Sequence, residues 1–237
     1  MSQTKQIQLF AFLPILFVFL LAMSLMISCK EQPKDKDMII NNPISIDTSL
    51  VEVDKMEYNQ GRTVWQKPDL VIEKMGNIQD KVIADVGAGT GYFVFRLALK
   101  AKKVLAIDID TSALRMIEQY IPKLPIQYAG RVETRLSKPK NPMLADEEVD
   151  IAIIINTISY IPELDTYLQM LKKGIKKGGN IMIVDYKMRR LPIHAPPKSE
   201  RMYLDDLEDV LEKNGFILIQ SDDTTLDYQY IIMATNP

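Results

Sequence analysis

The chain has 237 residues, of which 47% are hydrophobic and 25% charged, and its formal net charge is −2. This composition is typical of a globular protein, and the lack of a basic cluster argues against a nucleic-acid partner. With one cysteine and one histidine, the chain cannot form an internal disulfide and carries no metal-site signature, so we expect no metal.

The first thirty residues differ from the rest of the chain. Lys5 and the amino terminus precede an uncharged, apolar stretch from Leu9 to Ile27. This pattern is typical of a secretory signal or a membrane anchor, and about 20 apolar residues are enough to span a bilayer. A buried core helix is the least favoured interpretation, because the stretch has no polar face to meet water.

The end of this stretch, Leu25-Met26-Ile27-Ser28-Cys29, resembles a bacterial lipoprotein signal. The resemblance implies that Cys29 is lipidated and that the protein is anchored to a membrane, facing the cell envelope. The alternative is an uncleaved, single-pass membrane helix. We assign residues 1–29 to a signal peptide or anchor and residues 30–57 to a mostly polar tether.

From Tyr58 to the end, apolar runs alternate with segments of helical spacing. Helices are predicted at 68–75, 91–100, 112–120, 164–175 and 205–213, the fourth of them stopped by Gly178-Gly179. Strands are predicted at 81–86, 104–109, 132–136, 150–155, 180–184, 216–220 and 228–234. Alternating strands and helices favour βαβ units, so we predict one doubly wound, mostly parallel α/β domain over residues 58–237.

The last two predicted strands are separated only by a short turn at Ser221-Asp222-Asp223. Strands joined so closely must be antiparallel, because a parallel pair needs a crossover connection. The prediction is therefore a Rossmann-like sheet that ends in a C-terminal antiparallel hairpin.

The first strand runs into a glycine-rich turn, Asp85-Val86-Gly87-Ala88-Gly89-Thr90-Gly91, and a helix follows directly. Glycines permit a positive-φ turn and let a ligand approach the backbone, and the helix start offers unpaired amides. A dinucleotide fingerprint needs its third glycine where Tyr92 stands, which disfavours NAD binding. The second strand ends at Asp108, where a carboxylate can accept both ribose hydroxyls. Its rival, Asp110, is expected to cap the next helix.

Together these features resemble class I S-adenosylmethionine-dependent methyltransferases, in particular a bacterial group of the small-molecule type, from about Tyr58 to the end. Further motifs carry the resemblance: Arg62-x-x-Trp65-Gln66-Lys67-Pro68, Val149-Asp150-Ile151-Ala152 leading to Asn156-Thr157, Val184-Asp185-Tyr186-Lys187, Asn214-Gly215-Phe216 and Leu226-Asp227-Tyr228-Gln229-Tyr230. The terminal antiparallel hairpin belongs to this fold, whereas NAD-binding Rossmann domains lack it.

The resemblance implies S-adenosylmethionine as the cofactor, with its amino group held by the acid that precedes the glycines. The residues that it assigns to the cofactor are Asp85, Gly87, Ala88, Gly89, Gly91, Asp108, Ile109, Ser137 and Asn156. Such proteins commonly carry an acid that meets the adenine amino group, and this chain has Lys138 there. Backbone amides and Ser137 are then left to hold the adenine.

Catalytic residues are rarely visible in sequences of this class, because the sulfonium already activates the methyl group and the enzyme mainly aligns the reactants. The candidates for a catalytic role are Asn156, Tyr160, Asp185 and His194. Each also has a structural interpretation, as a strand-end cap, a core edge or a solvated loop residue. Trp65 is expected either to shield the cofactor or to fill the core.

The expected function is methyl transfer to a small-molecule acceptor, with the membrane as the other partner and with no nucleic acid. The oligomeric state has no signature in the sequence. The alternative is a membrane-anchored S-adenosylmethionine-binding module without turnover, which Lys138 and an outward-facing anchor favour.

Overall fold

The computed structural model describes residues 48–56 and 59–237. The predicted anchor with Cys29, and the predicted tether as far as residue 47, lie outside the described residues. Among the described helices, none has the length and apolar character needed to cross a bilayer.

The described part of the chain alternates strands and helices, as the sequence predicts. Its helices are α1 (Thr48–Lys55), α2 (Arg62–Trp65), α3 (Pro68–Lys74), α4 (Tyr92–Ala98), α5 (Thr111–Tyr120), α6 (Ile126–Ala129), α7 (Leu164–Gly174) and α8 (Leu204–Lys213). Its strands are β1 (Val82–Val86), β2 (Lys103–Asp108), β3 (Val132–Leu136), β4 (Val149–Ile155), β5 (Ile175–Tyr186), β6 (Ile217–Asp222) and β7 (Gln229–Thr235).

The seven strands form one sheet in the order β3-β2-β1-β4-β5-β7-β6. Strands β1 to β5 pair in parallel, and β7 pairs antiparallel with both β5 and β6. The predicted fold class and the C-terminal antiparallel hairpin are therefore confirmed. The strand order reverses between β1 and β4, and open α/β sheets bind ligands at the carboxyl ends of the strands beside such a reversal.

The central strands are buried on both faces, which explains their continuous apolar runs. Ile83, Leu105 and Ile153 have no exposed surface. Helices α3, α4 and α5 contribute to the apolar cluster on one face of the sheet, and α7 and α8 to the cluster on the other. This double cover fixes the strands and presents their carboxyl ends to solvent.

The boundary between the fourth predicted helix and its strand is wrong. Helix α7 ends at Gly174, and Gly178-Gly179 lies inside β5 instead of stopping the helix. The pairing of β4 with β5 is irregular between Val149 and Ile151, and Gly178 has a φ of 72°. A strand with a bulge accommodates such a glycine, so the glycine pair marks an irregularity in the strand and not a helix end.

The predicted C-terminal turn also begins too early. Ser221 and Asp222 belong to β6, where they pair with Ile232 and Ile231 of β7. The Asp222 carboxylate accepts hydrogen bonds from the backbone amides of Thr224 and Thr225, each at 2.9 Å. Such an aspartate-capped turn starts after its aspartate, which explains the shift.

Helix α1 lies within the segment predicted as a tether. Val53 of this helix is 1% exposed and packs into the core. Asp54 forms an ion pair with the buried Arg96 of α4. The packed body of the protein therefore begins before Tyr58.

Candidate active site

Three adjoining cavities lie at the carboxyl ends of the parallel strands. The glycine cavity, about 180 Å³, is lined by Asp85 and the glycine turn, and the Lys138 cavity, about 170 Å³, shares Gly87 with it. The Trp65 chamber, about 600 Å³, shares Arg62 and Asn156 with the glycine cavity. Because neighbouring cavities share lining residues, the three lie side by side along one cleft.

The glycine turn needs glycine for two different reasons. Gly87 has a φ of 77°, and a Cβ atom there would lie 2.3 Å from the Thr157 hydroxyl. Gly89 has a φ of 52° with no atom within 4 Å of its Cβ position, so its backbone is open to a ligand. Ala88 lines the glycine cavity, whereas Gly91 packs against Phe95 and is the N-cap residue of α4.

Asp85, at the end of β1, places a carboxylate in the glycine cavity. The residue is 3% exposed, and no hydrogen-bond donor of the described residues reaches its side chain. Burial raises the pKa of Asp85 to about 7, with a further contribution from Asp108 that Arg62 partly offsets. A buried carboxylate without a partner is costly, so this position suits a ligand that brings a cationic or donor group.

Asp108, at the end of β2, is held in a fixed orientation by two backbone amides. Its oxygens accept hydrogen bonds from Gly89 at 2.8 Å and from Asp110 at 2.9 Å. Each oxygen keeps a second lone pair, and the carboxylate lines the Lys138 cavity beside the exposed Ile109. Asp110 accepts from Ser112 at 2.8 Å and caps α5, as predicted.

The far side of the Lys138 cavity is formed by the segment after β3. Ser137 is 9% exposed, and its amide donates to the Asp108 carbonyl at 2.9 Å. Lys138 lies at an exposed position, and its backbone is fixed by two hydrogen bonds with Asn141. A lysine thus lines the cavity at the position where the family resemblance expects an acid.

Asn156, which follows β4, lies between the glycine cavity and the Trp65 chamber. Its φ is 58°, and its Oδ1 accepts from the side-chain amides of Gln229 and, at 3.4 Å, Gln66. Gln66 also donates to Gln229 Oε1 at 3.0 Å, and neither glutamine is exposed. Both glutamines belong to the motifs that carry the family resemblance, but neither was assigned a role from the sequence.

Arg62 was also missed as a site residue. Its Nε donates to Gln66 at 2.8 Å and its Nη1 to Asn59 at 3.0 Å, and its guanidinium lies 4.0 Å from the Tyr92 ring centroid. Burial lowers the pKa of Arg62, and the nearby Tyr92, Tyr186 and Asp85 oppose this shift. The only signal in the sequence is the motif ahead of α3, whose arginine and glutamine are four residues apart.

The four catalytic candidates are not brought together at one point. His194 and Asn156 line the Trp65 chamber, and Tyr160, 55% exposed, lines the Lys138 cavity. Asp185 is 2% exposed and accepts from the Ser159 hydroxyl at 3.4 Å. Burial raises the pKa of Asp185 to about 6.

Trp65 lines the chamber and does not fill the core. Its ring lies 6.1 Å from that of Tyr186, which lines the same chamber. The two aromatic rings therefore form an apolar wall next to His194. Within residues 48–56 and 59–237, no cluster of histidine, cysteine or acidic side chains is arranged to hold a metal ion.

The strand order and the cleft define the class I methyltransferase fold. Residues 78–229 match the family described as "Methyltransferase domain", and the chain belongs to this family.

Individual relatives are distant. A ribosomal RNA small subunit methyltransferase A of Mycoplasmopsis synoviae is 27% identical over 150 residues, 60% of this chain and 56% of the relative. A probable cobalt-precorrin-6B C(15)-methyltransferase of Methanobrevibacter smithii is 25% identical over 114 residues, 48% of this chain and 58% of the relative. The chain thus spans a little over half the length of these relatives. The crystal structure of a SAM dependent methyltransferase from Aquifex aeolicus superposes with a TM-score of 0.69 and 21% identity, covering 81% of this chain and 98% of that one.

Proposed function

We propose that the protein is an S-adenosylmethionine-dependent methyltransferase that acts on a small-molecule acceptor. The observation that carries the proposal is Asp85, a buried carboxylate that opens into the glycine cavity without a hydrogen-bond partner among the described residues. The amino group of S-adenosylmethionine would supply that partner. Membership of the methyltransferase domain family supports the same conclusion.

The remaining residues of the cleft fit the other parts of this cofactor. Asp108 has lone pairs free for two ribose hydroxyls, and the open backbone at Gly89 permits close approach. Ser137 and Ile109 border the space left for the adenine. When bound, the cofactor supplies a methyl group that its sulfonium already activates.

The Trp65 chamber is the proposed acceptor site. Its volume of about 600 Å³ lies within the range of small-molecule pockets. Trp65 and Tyr186 supply its apolar surface, and Asn156 marks the junction with the glycine cavity. His194 is placed to take a proton from an acceptor that loses one on methylation.

Calorimetric titration of the full-length protein with S-adenosylmethionine and S-adenosylhomocysteine tests the proposal. We expect both to bind and Asp108→Ala to weaken binding at least tenfold, because two hydroxyl hydrogen bonds are lost. Asp110→Ala is the matched control, since this neighbouring aspartate caps α5 and lines none of the three cavities. Absence of binding by both ligands would refute the proposed function.

A module that binds the cofactor without turnover is the second candidate, and Lys138 is the observation that favours it. Incubation of the protein with methyl-labelled cofactor and a small-molecule cell extract separates the two candidates. Transfer of the label, abolished by Asp108→Ala, supports the enzyme. Tight binding without any transfer supports the module.

We also propose that the protein is anchored to a membrane through lipid on Cys29, facing the cell envelope. The sequence Leu25 to Cys29 after an apolar stretch supports this anchor. Cys29→Ser should abolish incorporation of radiolabelled fatty acid. Membrane attachment that persists without any labelling of the wild-type chain would instead indicate an uncleaved membrane helix.

A further inference from the structure

The Trp65 chamber has a cationic and aromatic lining. Arg62 and His194 supply the basic groups, Trp65 and Tyr186 supply the rings, and two carboxamides and Ile193 complete the lining described by the structure. Its described lining includes no carboxylate. A chamber of this kind favours a ligand that combines a negative charge with a flat apolar part.

Arg62 has a donor left over for such a ligand. Its Nε and Nη1 are engaged by Gln66 and Asn59, whereas no acceptor among the described residues meets its Nη2. The described part of the chain also holds no carboxylate in an ion pair with this guanidinium. Arginine keeps its proton inside proteins, so Arg62 presents a fixed and partly buried positive charge to the chamber.

The loop that supplies Ile193 and His194 adds more positive charge. We call residues 187–201 the basic loop, because this segment contains five cationic residues and only one acidic residue, Glu200. The five are Lys187, Arg189, Arg190, Lys198 and Arg201. None of these cations forms an ion pair with a described carboxylate. Lys187, Arg189 and Arg201 instead donate to backbone carbonyls. Their charge is offset only in part, by Asp223 and Asp227 near Lys187 and by Asp185 near Arg201.

Arg201 holds the basic loop in place. Its Nε donates to the Pro196 carbonyl at 2.7 Å, and its Nη1 donates to the carbonyls of Lys187 and Arg189, both at 2.9 Å. These three bonds join the two ends of the loop. The net positive charge of the loop is therefore fixed beside the chamber.

We propose that the methyl acceptor is a small carboxylic acid with a planar apolar body. Arg62 Nη2 binds the carboxylate, Trp65 and Tyr186 pack against the planar body, and the basic loop attracts the anion. The lining disfavours an amine, because a cation would meet Arg62 without a carboxylate to balance it. This inference rests on the proposed methyltransferase function.

The chain contains its own reporter for the test. Trp65 is the only tryptophan of the chain, so its fluorescence reports on the chamber alone. We would titrate the full-length protein, in nonionic detergent with S-adenosylhomocysteine, with phenyl- and cyclohexyl-propanoates and with the matched amides and amines. We expect each carboxylate to bind at least tenfold more tightly than its amide, and the amines not to bind. Equal binding within the matched sets, or no binding by any member, would overturn the inference.

Two variants test which residues recognise the carboxylate of the ligand. Arg62→Gln should abolish the preference for carboxylate over amide and leave the affinity for the amides unchanged, with circular dichroism and urea unfolding as checks of folding. Arg190→Gln, at an exposed loop position, should weaken carboxylate binding a few-fold, and more at low salt than at high salt. Arg115→Gln, at an exposed position on α5, is the matched control and should have no effect.

The same samples separate this inference from the proposed function. Binding of S-adenosylhomocysteine without any carboxylate preference would refute the inference and leave the function in place. Absence of S-adenosylhomocysteine binding would refute the function. If Arg62→Gln weakens S-adenosylhomocysteine and leaves the carboxylate preference intact, Arg62 serves the cofactor and the inference is wrong. If Arg62→Gln does not fold, an unchanged carboxylate affinity in Arg190→Gln at both salt concentrations overturns it.

Discussion

At the scale of single residues, Asp85 makes the folded protein sensitive to pH. Burial raises its pKa to about 7, far above that of an aspartate in an unfolded chain. Between about pH 4 and pH 7, the folded state therefore holds a proton that the unfolded state has released. The contribution of Asp85 to the free energy of unfolding is therefore fully present below about pH 4, and it is lost as the pH rises through 7.

Asp85→Asn should stabilise the protein at pH 8 by about 1–4 kcal/mol, because a neutral amide replaces a buried charge of similar shape. The difference from wild type should nearly vanish at pH 4, where the carboxyl group is protonated in the folded state and about half protonated in the unfolded chain. Urea unfolding of both proteins at pH 4 and pH 8 measures the difference in the free energy of unfolding. A difference that is the same at pH 4 and pH 8 would show that the charge is not its cause.

The same residue should make cofactor affinity depend on pH. An ammonium group binds the ionised carboxylate, so binding at pH 6 must first remove the proton from Asp85. We expect affinity for S-adenosylhomocysteine to rise about tenfold from pH 6 to pH 7.5, with proton release detectable by calorimetry in buffers of different ionisation enthalpy. Asp85→Asn should lower the affinity and remove the slope; a slope that persists would assign the titration to another group.

At the scale of elements, a buried amide network joins three parts of the chain at the site. Gln66 comes from the segment between α2 and α3, Asn156 follows β4, and Gln229 begins β7. Because the glutamines are unexposed, the loss of either one leaves buried polar groups without partners. The network therefore fixes the strained backbone of Asn156, whose φ is 58°.

A double-mutant cycle on Gln66 and Gln229 tests this network. Each alanine variant should destabilise the protein by about 1–3 kcal/mol, and the double variant should cost about 0.5–3 kcal/mol less than the sum. Urea unfolding provides the free energies, and Gln119→Ala, at an exposed position on α5, serves as the control. Strict additivity would mean that the two side chains do not act as one unit.

The elements themselves were largely predictable, because each strand and helix has its own local period. The antiparallel end of the sheet followed from the short connection between the last two strands, and the cap at Asp110 followed from its position. The end of α7 was not predictable in this way. A glycine pair in a strand bulge and one that stops a helix have the same sequence.

At the scale of the whole molecule, local patterns no longer indicate which side chains meet. Gln66 and Gln229 are 163 residues apart, and no period of the sequence connects them. The sequence predicted that Asp85 and Asp108 each lie where a strand ends, and the structure shows that these two strands are neighbours. The role of Arg62 depends on Asn59, Tyr92 and Gln66 together, so only the folded chain shows it.

The start of the folded domain is also a property of the whole molecule. Helix α1 is short and carries few apolar residues, so its sequence resembles a solvated segment. Its contribution comes from two distant contacts, the burial of Val53 in the core and the ion pair of Asp54 with the buried Arg96. Without Asp54, the buried guanidinium of Arg96 has no ion-pair partner, which destabilises the folded chain.

We therefore expect a chain that begins at residue 58 to be less stable than one that begins at residue 45, by about 3–5 kcal/mol. Urea unfolding of the two fragments measures the difference. In the longer fragment, Asp54→Asn and Val53→Ala should each reproduce part of the loss, which separates the charge from the packing. Equal stability of the two fragments would place the start of the domain at Tyr58 and leave α1 without a structural role.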